Sequence, residues 1–281
     1  MTIQLRFHGA AGTVTGSCFA IVTDRASVIV DCGMFQGSKS EKELNYRPFS
    51  FEAGEVDAVL LTHAPIDHSG LLPKLVKAGF AGPIFTTRAT VDLCSVMLPD
   101  SAHIQEMEVD QLNRRNRRRG LPEVTAIYTG DDAVQTLLQF RPAELETWAR
   151  VAEGIRARFW NAGHLLGSAS IEVEVTDGAE EPVRLLFSGD IGPHHKLLQY
   201  DPEAPEGFDH VVCEATYGDR ERPATDPSSR RRSLRREVRE AGERGGALLI
   251  PSFAVERTQE LLVDLVALME AGEVPRCPIF I

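Results

Sequence analysis

Histidine and aspartate side chains, which bind divalent metals in many hydrolases, recur along this chain after short apolar stretches. The segment THAPIDHSG places His63, Asp67 and His68 directly after the apolar run VDAVLL. His164 follows ARFW, and Asp190 follows RLLFSG. Imidazole nitrogens and carboxylate oxygens are the usual ligands of zinc or manganese in hydrolytic sites. The pattern therefore predicts a hydrolytic metal site assembled from separate loops.

The apolar stretches before these residues have the length and composition of β-strands. VDAVLL, at Val56–Leu61, is a continuous apolar run, which is typical of a strand covered on both faces. SVIV is a similar run, and Asp31 follows it directly. Loops at strand ends are where folds usually place functional groups, so we expect Asp31 to lie near the other candidates.

Short strands and amphipathic helices account for most of the remaining sequence. Strands are predicted at Ile3–Phe7, Ser17–Val22, Ser27–Val30, ARFWNAGH, ASIEVEV, VRLLFSGD, HVVCEATYG, ALLIPSF and CPIFI. Helices are predicted over DHSGLLPKLVKAGF, from Arg88 onward, near Asp131 and Asp132, around 228–244, and over AVERTQELLVDLVALMEAG. Asp67 is placed to cap the first of these helices and Gly79 to end it, and residues 192–209 are predicted to form a surface loop. Strands at both ends of a helical middle predict an α/β protein with stacked sheets inside helices.

Composition limits the classes of function. The chain has 281 residues, 43% apolar and 25% charged, with a formal net charge of −11, which is ordinary for a globular protein. This charge argues against non-specific coating of nucleic acid, although it leaves room for a local basic groove. The five cysteines form no CxxC pair, the N-terminus lacks a signal-peptide pattern, and no apolar stretch is as long as a membrane span. We therefore predict a cytoplasmic protein without a membrane partner.

Several motifs together resemble those of the metallo-β-lactamase superfamily, and in particular its β-CASP branch of RNA-processing nucleases. The matching segments are FHGAAGTVTGSCF, DCGMFQG, AGHLLGSAS, FSGD, EATYGDR and PSFAVERTQELL. The resemblance implies a four-layer αβ/βα sandwich that binds two zinc ions in a cleft between the sheets, and an inserted β-CASP α/β domain. It predicts a metallo-β-lactamase domain at residues 1–217 and the beginning of an incomplete β-CASP domain at 218–281.

The resemblance also assigns roles to individual residues. The family motif H-x-H-x-D-H falls on His63, Pro65, Asp67 and His68. By resemblance, one metal would be held by His63, His164 and Asp190, and the other by Asp67, His68 and Asp190, which bridges the two. Asp67 would also orient the nucleophile, Asp31 would support the site, and Glu214 falls on the acidic residue that opens the β-CASP motifs.

Two departures from the family pattern weaken the expected site. Pro65 stands where the second histidine should be, and its ring offers no lone pair to a metal. The later family histidines, one of which completes the second metal, are absent from this sequence. We therefore expect one zinc ion or weak zinc binding, with manganese as the alternative metal.

The predicted activity is metal-dependent hydrolysis of RNA phosphodiesters. Two alternatives stay open: a different hydrolase on the same fold, such as a thioester or lactone hydrolase, and a non-catalytic RNA-binding remnant, which Pro65 favours. The arginine runs at 114–119 and 230–239 would either contact phosphate or lie on solvated helix surfaces. Because the family's closing strands are absent, we expect an open apolar sheet edge and predict a homodimer or poor solubility.

Overall fold

Two stacked β-sheets form the centre of the molecule. The computed structural model describes residues 3–176, 181–203, 205–221 and 226–281. Within these residues the strands are β1 (Gln4–Phe7), β2 (Phe19–Val22), β3 (Ser27–Val30), β4 (Ala58–Leu60), β5 (Ile84–Thr87), β6 (Phe140–Ala143), β7 (Ala149–Ala152), β8 (Ile155–Asn161), β9 (Ala169–Val175), β10 (Val183–Phe187) and β11 (His210–Val212). The helices are α1 (Lys39–Leu44), α2 (Ile66–Ser69), α3 (Leu72–Lys77), α4 (Arg88–Arg119), α5 (Gly130–Leu137), α6 (Pro227–Arg244) and α7 (Arg257–Glu270), with a 3-10 turn at Ala53–Glu55.

The first sheet has the strand order β1-β2-β3-β4-β5-β6. Strands β1, β2 and β3 pair antiparallel, whereas β3, β4, β5 and β6 run parallel to one another. The second sheet has the order β11-β10-β9-β8-β7 and is antiparallel except for the β10–β11 pair. The carboxyl ends of parallel strands meet at one edge of a sheet, which makes this edge of the first sheet a natural position for a site.

Two apolar clusters explain why the first sheet is buried on both faces. The cluster between the sheets includes Val28, Val30, Leu60, Phe159, Val173 and Phe187. The cluster between the first sheet and helices α3, α4 and α5 includes Ile29, Val59, Leu72, Leu75, Leu98 and Ala133. Alternate residues of β3 and β4 thus point to opposite clusters, as strand geometry requires. The predicted mixed α/β class, with stacked sheets and flanking helices, is confirmed.

Helices α6 and α7 pack on each other through a third apolar cluster. This cluster contains Leu234, Val238, Leu265, Leu268 and Val274. The predicted domain boundary, with domains at 1–217 and 218–281, stays a prediction. Residues 204 and 222–225, which fall in the predicted surface loop and the predicted second domain, lie outside the described residues. Among the described residues, no helix combines the length and apolar character needed to span a bilayer.

The single helix that was predicted over DHSGLLPKLVKAGF forms two short helices, α2 and α3, and the local sequence explains the break. Helix α2 ends at Ser69 with Gly70 as its C-cap, and α3 has Pro73 in its first turn. Proline lacks a backbone N–H and fits the first turn of a helix better than its interior. The prediction that Asp67 caps this helix is wrong, because Pro65 occupies the N-cap position and Asp67 lies in the first turn. Gly79, with φ of 113°, follows α3 as predicted.

Two predicted strands near the end of the chain are wrong. ALLIPSF and CPIFI have no strand assignment, and Leu249, Phe253 and Phe280 are highly exposed. A strand requires a neighbouring strand to accept and donate its backbone hydrogen bonds. Within the described residues, neither segment pairs with another strand, so the apolar composition alone does not produce one. Strand β7, by contrast, was not predicted, because its sequence ARVA carries little β-propensity.

The outer face of the second sheet carries a buried carboxylate. The side chain of Glu172 on β9 is fully buried, and its Oε1 accepts a hydrogen bond of 2.6 Å from Arg184. Its Oε2 accepts hydrogen bonds from Arg158 and from the Trp160 indole at 2.9 Å. Burial raises the pKa of this carboxyl, but the hydrogen bonds from Arg184, Trp160 and Arg158 outweigh burial and hold the pKa below its ordinary value of 4.5. Glu172 therefore joins β8, β9 and β10 on the face opposite the core.

We expect Glu172→Gln to lower the free energy of unfolding by about 3 kcal/mol, because two arginines would lose their charged partner. Since the folded pKa of Glu172 is depressed, its contribution is full above about pH 4.5 and disappears as the pH falls through the lower folded value. Urea unfolding at pH 7 and at acidic pH measures both effects. The control is Glu123→Gln, which removes the exposed Arg117–Glu123 pair and should change the free energy by less than about 1 kcal/mol. Equal losses in the two variants would contradict this prediction.

Candidate metal centre

Four loops that leave strands on one side of the stacked sheets bring the predicted site residues together. Asp31 directly follows β3, and His63 lies three residues after the end of β4. His164 and Asp190 each lie three residues after the ends of β8 and β10. The two sheets thus contribute two loops each, and the candidate side chains meet where the loops converge.

Asp31 is the buried anchor of this convergence. Its residue is 1% exposed, and its φ of 58° is unusual for a residue with a Cβ. One carboxylate oxygen accepts hydrogen bonds from the Thr62 N–H at 2.8 Å and the Thr62 hydroxyl at 3.0 Å. The other accepts from Ser17 Oγ at 3.1 Å and lies 2.7 Å from His68 Nδ1. Asp31 therefore holds Ser17, Thr62 and His68 together at this point, and its role in supporting a metal site stays a prediction.

The imidazoles of His63 and His68 are oriented by hydrogen bonds at Nδ1. Thr62 Oγ1 lies 2.8 Å from His63 Nδ1, and Asp31 takes the same role for His68. In each ring the other nitrogen, Nε2, lies near Asp190, at 3.8 Å for His63 and 3.4 Å for His68. Burial lowers the pKa of His63 to about 4. Burial also opposes charge on His68, but the carboxylates of Asp31 and Asp190 outweigh it and raise the pKa of His68 to about 10.

Asp190 lies at the centre of the three histidines. Its carboxylate oxygens are 3.4 Å from His68 Nε2, 3.7 Å from His164 Nε2 and 3.8 Å from His63 Nε2. Burial raises the pKa of Asp190, but the neighbouring imidazoles of His63 and His68 hold that pKa well below its usual range. Burial lowers the pKa of His164. An ionised carboxylate surrounded by three imidazoles is a donor set for a divalent cation.

The geometry of this cluster fits a metal ion. The ligand atoms of His63, His68 and Asp190 all lie within 4.8 Å of one another. Metal–ligand bonds of about 2.0–2.2 Å place tetrahedral donors roughly 3.4 Å apart, which is close to the separations found here. His63 Nε2 is buried, and no described residue gives it a hydrogen-bond partner. A buried nitrogen without a partner is costly, and a cation would satisfy it.

Asp67 lies at the edge of the cluster. Its Oδ2 is 3.9 Å from His68 Nε2, and burial raises the pKa of its carboxyl. Its backbone carbonyl accepts a hydrogen bond of 2.9 Å from the Ser17 N–H. A Cβ on Gly33 would lie 1.6 Å from that carbonyl oxygen, so only glycine allows this approach. The loop after β3 therefore fixes the position of Asp67.

Pro65 contributes its backbone to the site and no side-chain ligand. Its carbonyl accepts hydrogen bonds from the N–H groups of His68 and Ser69 at 2.9 Å each, which starts helix α2. Its φ of −51° suits proline, and a residue that caps through its carbonyl needs no N–H of its own. The proline thus preserves the turn that presents Asp67 and His68.

Glu214 lies beside the segment that carries Asp190. Its carboxylate accepts hydrogen bonds of 3.1 Å from the N–H groups of Ile191 and Thr216, and its own N–H donates to Ser188 Oγ. With Thr13, His68 and Asp190, it lines a cavity of about 450 Å³. The sequence did not single out Thr62 or Ser17, although both stand next to motif residues and their hydroxyls contact Asp31.

Comparison with known proteins agrees with this geometry. The family model described as Metallo-beta-lactamase superfamily matches residues 11–87, which include Asp31 and the THAPIDHSG segment. Residues 11–87 are therefore similar to the metallo-β-lactamase superfamily. The superfamily match implies binding of a divalent metal, and it agrees with the resemblance drawn from the sequence motifs.

Several relatives of known name match almost the whole chain. Ribonuclease TTHA0252 of Thermus thermophilus is 39% identical over 277 residues, which cover 97% of this chain and 56% of the relative. Transcription termination factor FttA of Methanosarcina mazei is 31% identical, covering 99% of this chain and 41% of the relative. An RNase J-like protein of Methanocaldococcus jannaschii is 29% identical, covering 99% of this chain and 58% of the relative. The chain therefore spans about half the length of these relatives.

A solved structure shares the fold over nearly the full chain. The crystal structure of a protein of unknown function from Enterococcus faecalis V583 aligns with a TM-score of 0.52 at 14% identity. The alignment covers 98% of this chain and 64% of that one. At this identity the likeness speaks for the fold alone.

We expect Asp31→Asn to weaken zinc binding about 10–100-fold, because Asp31 orients the His68 ring and favours positive charge on it. Competition between the protein and a chromogenic chelator measures the change in affinity. The control is Asp57→Asn, since Asp57 accepts a hydrogen bond from the Ser27 N–H before β3, at the opposite strand end. An affinity equal to that of the native chain would show that Asp31 does not act on the metal centre.

Proposed function

We propose that this protein is a metal-dependent hydrolase of RNA phosphodiesters. The observation that carries the proposal is the group of His63, His68 and Asp190, whose ligand atoms lie within 4.8 Å of one another and in which the buried His63 Nε2 has no partner among the described residues. The cluster lies on a chain that is 39% identical to a protein named as a ribonuclease. Fold alone would not select RNA, since one fold hosts many chemistries.

His63, His68, His164 and Asp190 would hold the cation. Three imidazoles and one carboxylate suit zinc, and manganese accepts the same donors. When bound, the cation acidifies a water molecule and offsets negative charge that develops on a phosphate oxygen. A phosphodiester needs both effects, because its own charge repels an anionic nucleophile.

The chain's own residues prepare this chemistry. Asp31 and Thr62 hold the rings of His68 and His63 so that their Nε2 atoms face the cleft. Asp67, at the edge of the cluster, would orient the attacking water by accepting a hydrogen bond from it. The carboxylate of Glu214 would hold the backbone at Ile191 and so keep Asp190 at the centre of the cluster.

Pro65 supports a site with one tightly held metal. His63, His68 and Asp190 form one compact donor set, with His164 Nε2 at 3.7 Å from Asp190 and Asp67 Oδ2 at 3.9 Å from His68 Nε2. A second cation would have Asp67 and the ligands that it shares with the first. We therefore propose one zinc ion, or weak binding of a second.

The arginine runs give limited support for an RNA surface. On α6, Arg230 and Arg231 pair with Asp264, Arg235 pairs with Glu273, and Arg236 pairs with Glu237. These pairs favour the interpretation as a charged helix surface. The run at 114–119 forms the last turns of α4, where positive charge also stabilises the helix dipole. RNA would therefore be bound mainly in the cleft that contains Asp190.

We further propose a cytoplasmic protein that self-associates. The cysteines of the described residues are free thiols, which suits a reducing compartment. Leu249, Phe253 and Phe280 are 84–91% exposed, and contact with a second copy would cover them. Sedimentation velocity at several concentrations distinguishes a dimer from a monomer.

A specific observation favours one alternative, the non-catalytic RNA-binding protein, because Pro65 removes a ligand. Metal content and RNA cleavage, measured on the native chain and on Pro65→His, distinguish the two. We expect about one zinc per native chain with slow cleavage, and more zinc with faster cleavage in the variant. The control, Pro122→His, adds a histidine in an exposed loop after α4 and should change neither quantity. Binding of RNA without cleavage in zinc or manganese would refute the hydrolase.

A further inference from the structure

Lys196 is a buried cation beside the candidate metal centre that the centre itself does not use. Its side chain is 4% exposed, and its ammonium lies 2.7 Å from Glu256 Oε1. The same ammonium donates a hydrogen bond to the backbone carbonyl of His164. Burying an ammonium is costly unless it is paired. Lys196 thus joins the residue before helix α7 to the backbone of a candidate metal ligand.

Glu256 has a strained backbone at the other end of this link. Its φ of 73° and ψ of −64° lie outside the regions that suit a residue with a Cβ, and its side chain is only 9% exposed. Such a conformation persists where surrounding contacts hold it, and strain of this kind gathers at functional positions. The ion pair with Lys196 is a contact that holds it.

A second carboxylate of α7 fixes the same segment. Glu260 Oε1 accepts hydrogen bonds from the N–H groups of Leu197 and Leu198 at 2.6 Å and 3.3 Å. Its other oxygen pairs with Arg230 of α6 at 3.2 Å. The start of α7 therefore holds residues 196–198 through both a charge and backbone hydrogen bonds.

The loop that leads to Lys196 also touches the His164 segment directly. The Gly192 N–H donates to the Ala162 carbonyl at 2.8 Å. A Cβ on Gly192 would lie 1.8 Å from the Gly163 carbonyl oxygen, so the two backbones are in close contact. The segment 192–198 therefore lies between α7 and the His164 loop.

His164 depends on its backbone for placement more than the other two histidines do. The rings of His63 and His68 are held through Nδ1 by Thr62 and Asp31. Within the described part of the chain, the Nδ1 atom of the His164 ring has no such hydrogen bond, and its side chain is 35% exposed. Its N–H donates to Ser168 Oγ at 3.0 Å, and its carbonyl accepts from Lys196.

We propose that Lys196 and Glu256 are positioning residues that set the place of His164 at the metal centre, an inference that rests on the proposed function. They act through the His164 backbone and do not touch the metal or the substrate. The link ties the packing of helices α6 and α7 to the geometry of the centre. A shift in the position of α7 would then change the position of His164 relative to the bound cation.

Hydrogen exchange of the metal-free chain, read by mass spectrometry, tests the anchoring itself. We expect Lys196→Met and Glu256→Gln to speed exchange in peptides that cover residues 162–168. Lys196→Arg, which keeps a charged donor, should restore slow exchange. The control is Arg235→Met, which removes the 2.7 Å Arg235–Glu273 pair at the far end of α7 and should leave this segment unchanged.

Zinc affinity, measured by chelator competition on the same variants, tests the effect on the centre. We expect Lys196→Met and Glu256→Gln to weaken zinc binding about 10-fold, the lower end of the effect of residues that orient metal ligands. Lys196→Arg should recover most of the affinity, and Arg235→Met should match the native chain. If Lys196→Met does not fold, Glu256→Gln decides, because it preserves the side-chain volume.

Native exchange and native affinity in folded Lys196→Met and Glu256→Gln would overturn the proposal. Faster exchange with unchanged affinity would also overturn it, because the link would then be structural only. A native chain that binds zinc but does not cleave RNA refutes the proposed function and leaves this inference standing. A native chain that binds no zinc refutes the proposed function, and exchange still decides whether Lys196 holds the His164 loop.

Discussion

The carboxylate of Asp31 is the interaction on which the rest of the site depends. It is almost completely buried, and it accepts hydrogen bonds from Ser17 and Thr62 while it contacts His68. These partners come from the loop before β2, the end of β4 and helix α2. A buried charge is tolerated only when its hydrogen-bond partners surround it. One carboxylate therefore holds these three segments together. The same contact orients the His68 imidazole, whose Nε2 lies 3.4 Å from Asp190.

Burial of the first sheet on both faces explains why so much could be predicted from sequence. SVIV and VDAVLL are continuous apolar runs, and a strand with both faces covered requires such a run. The hydrophilic residue that follows each run then has to lie at the sheet edge. Asp31 and His63 were predicted on this basis, and the structure brings both to the edge where the loops meet. The residue types and the predicted strand ends were sufficient to predict these positions, because both can be read from short stretches of sequence.

Features that depend on distant partners could not be predicted in the same way. The apolar segments ALLIPSF and CPIFI have strand composition, yet a strand exists only where another backbone pairs with it. The link from Lys196 to Glu256 joins residues 60 positions apart by number, and no local pattern marks it. The sequence also could not distinguish an arginine that is free to contact phosphate from one that is already paired within the fold. Arg230, for example, forms an ion pair with Asp264 of α7. In each case, the outcome depends on which groups the fold brings together.

The charge balance of the cluster bears on how Pro65 is tolerated. Asp31, Asp67 and Asp190 place three carboxylates around His63, His68 and His164, a set that suits the charge of one divalent cation plus a protonated or hydrogen-bonded neighbour. Pro65 keeps the backbone turn that starts α2 and so preserves the Asp67 and His68 positions while it removes a ligand. The side chains around Asp190 are positioned by Asp31, Thr62 and the His164 loop, and none of these contacts requires a side-chain donor at position 65.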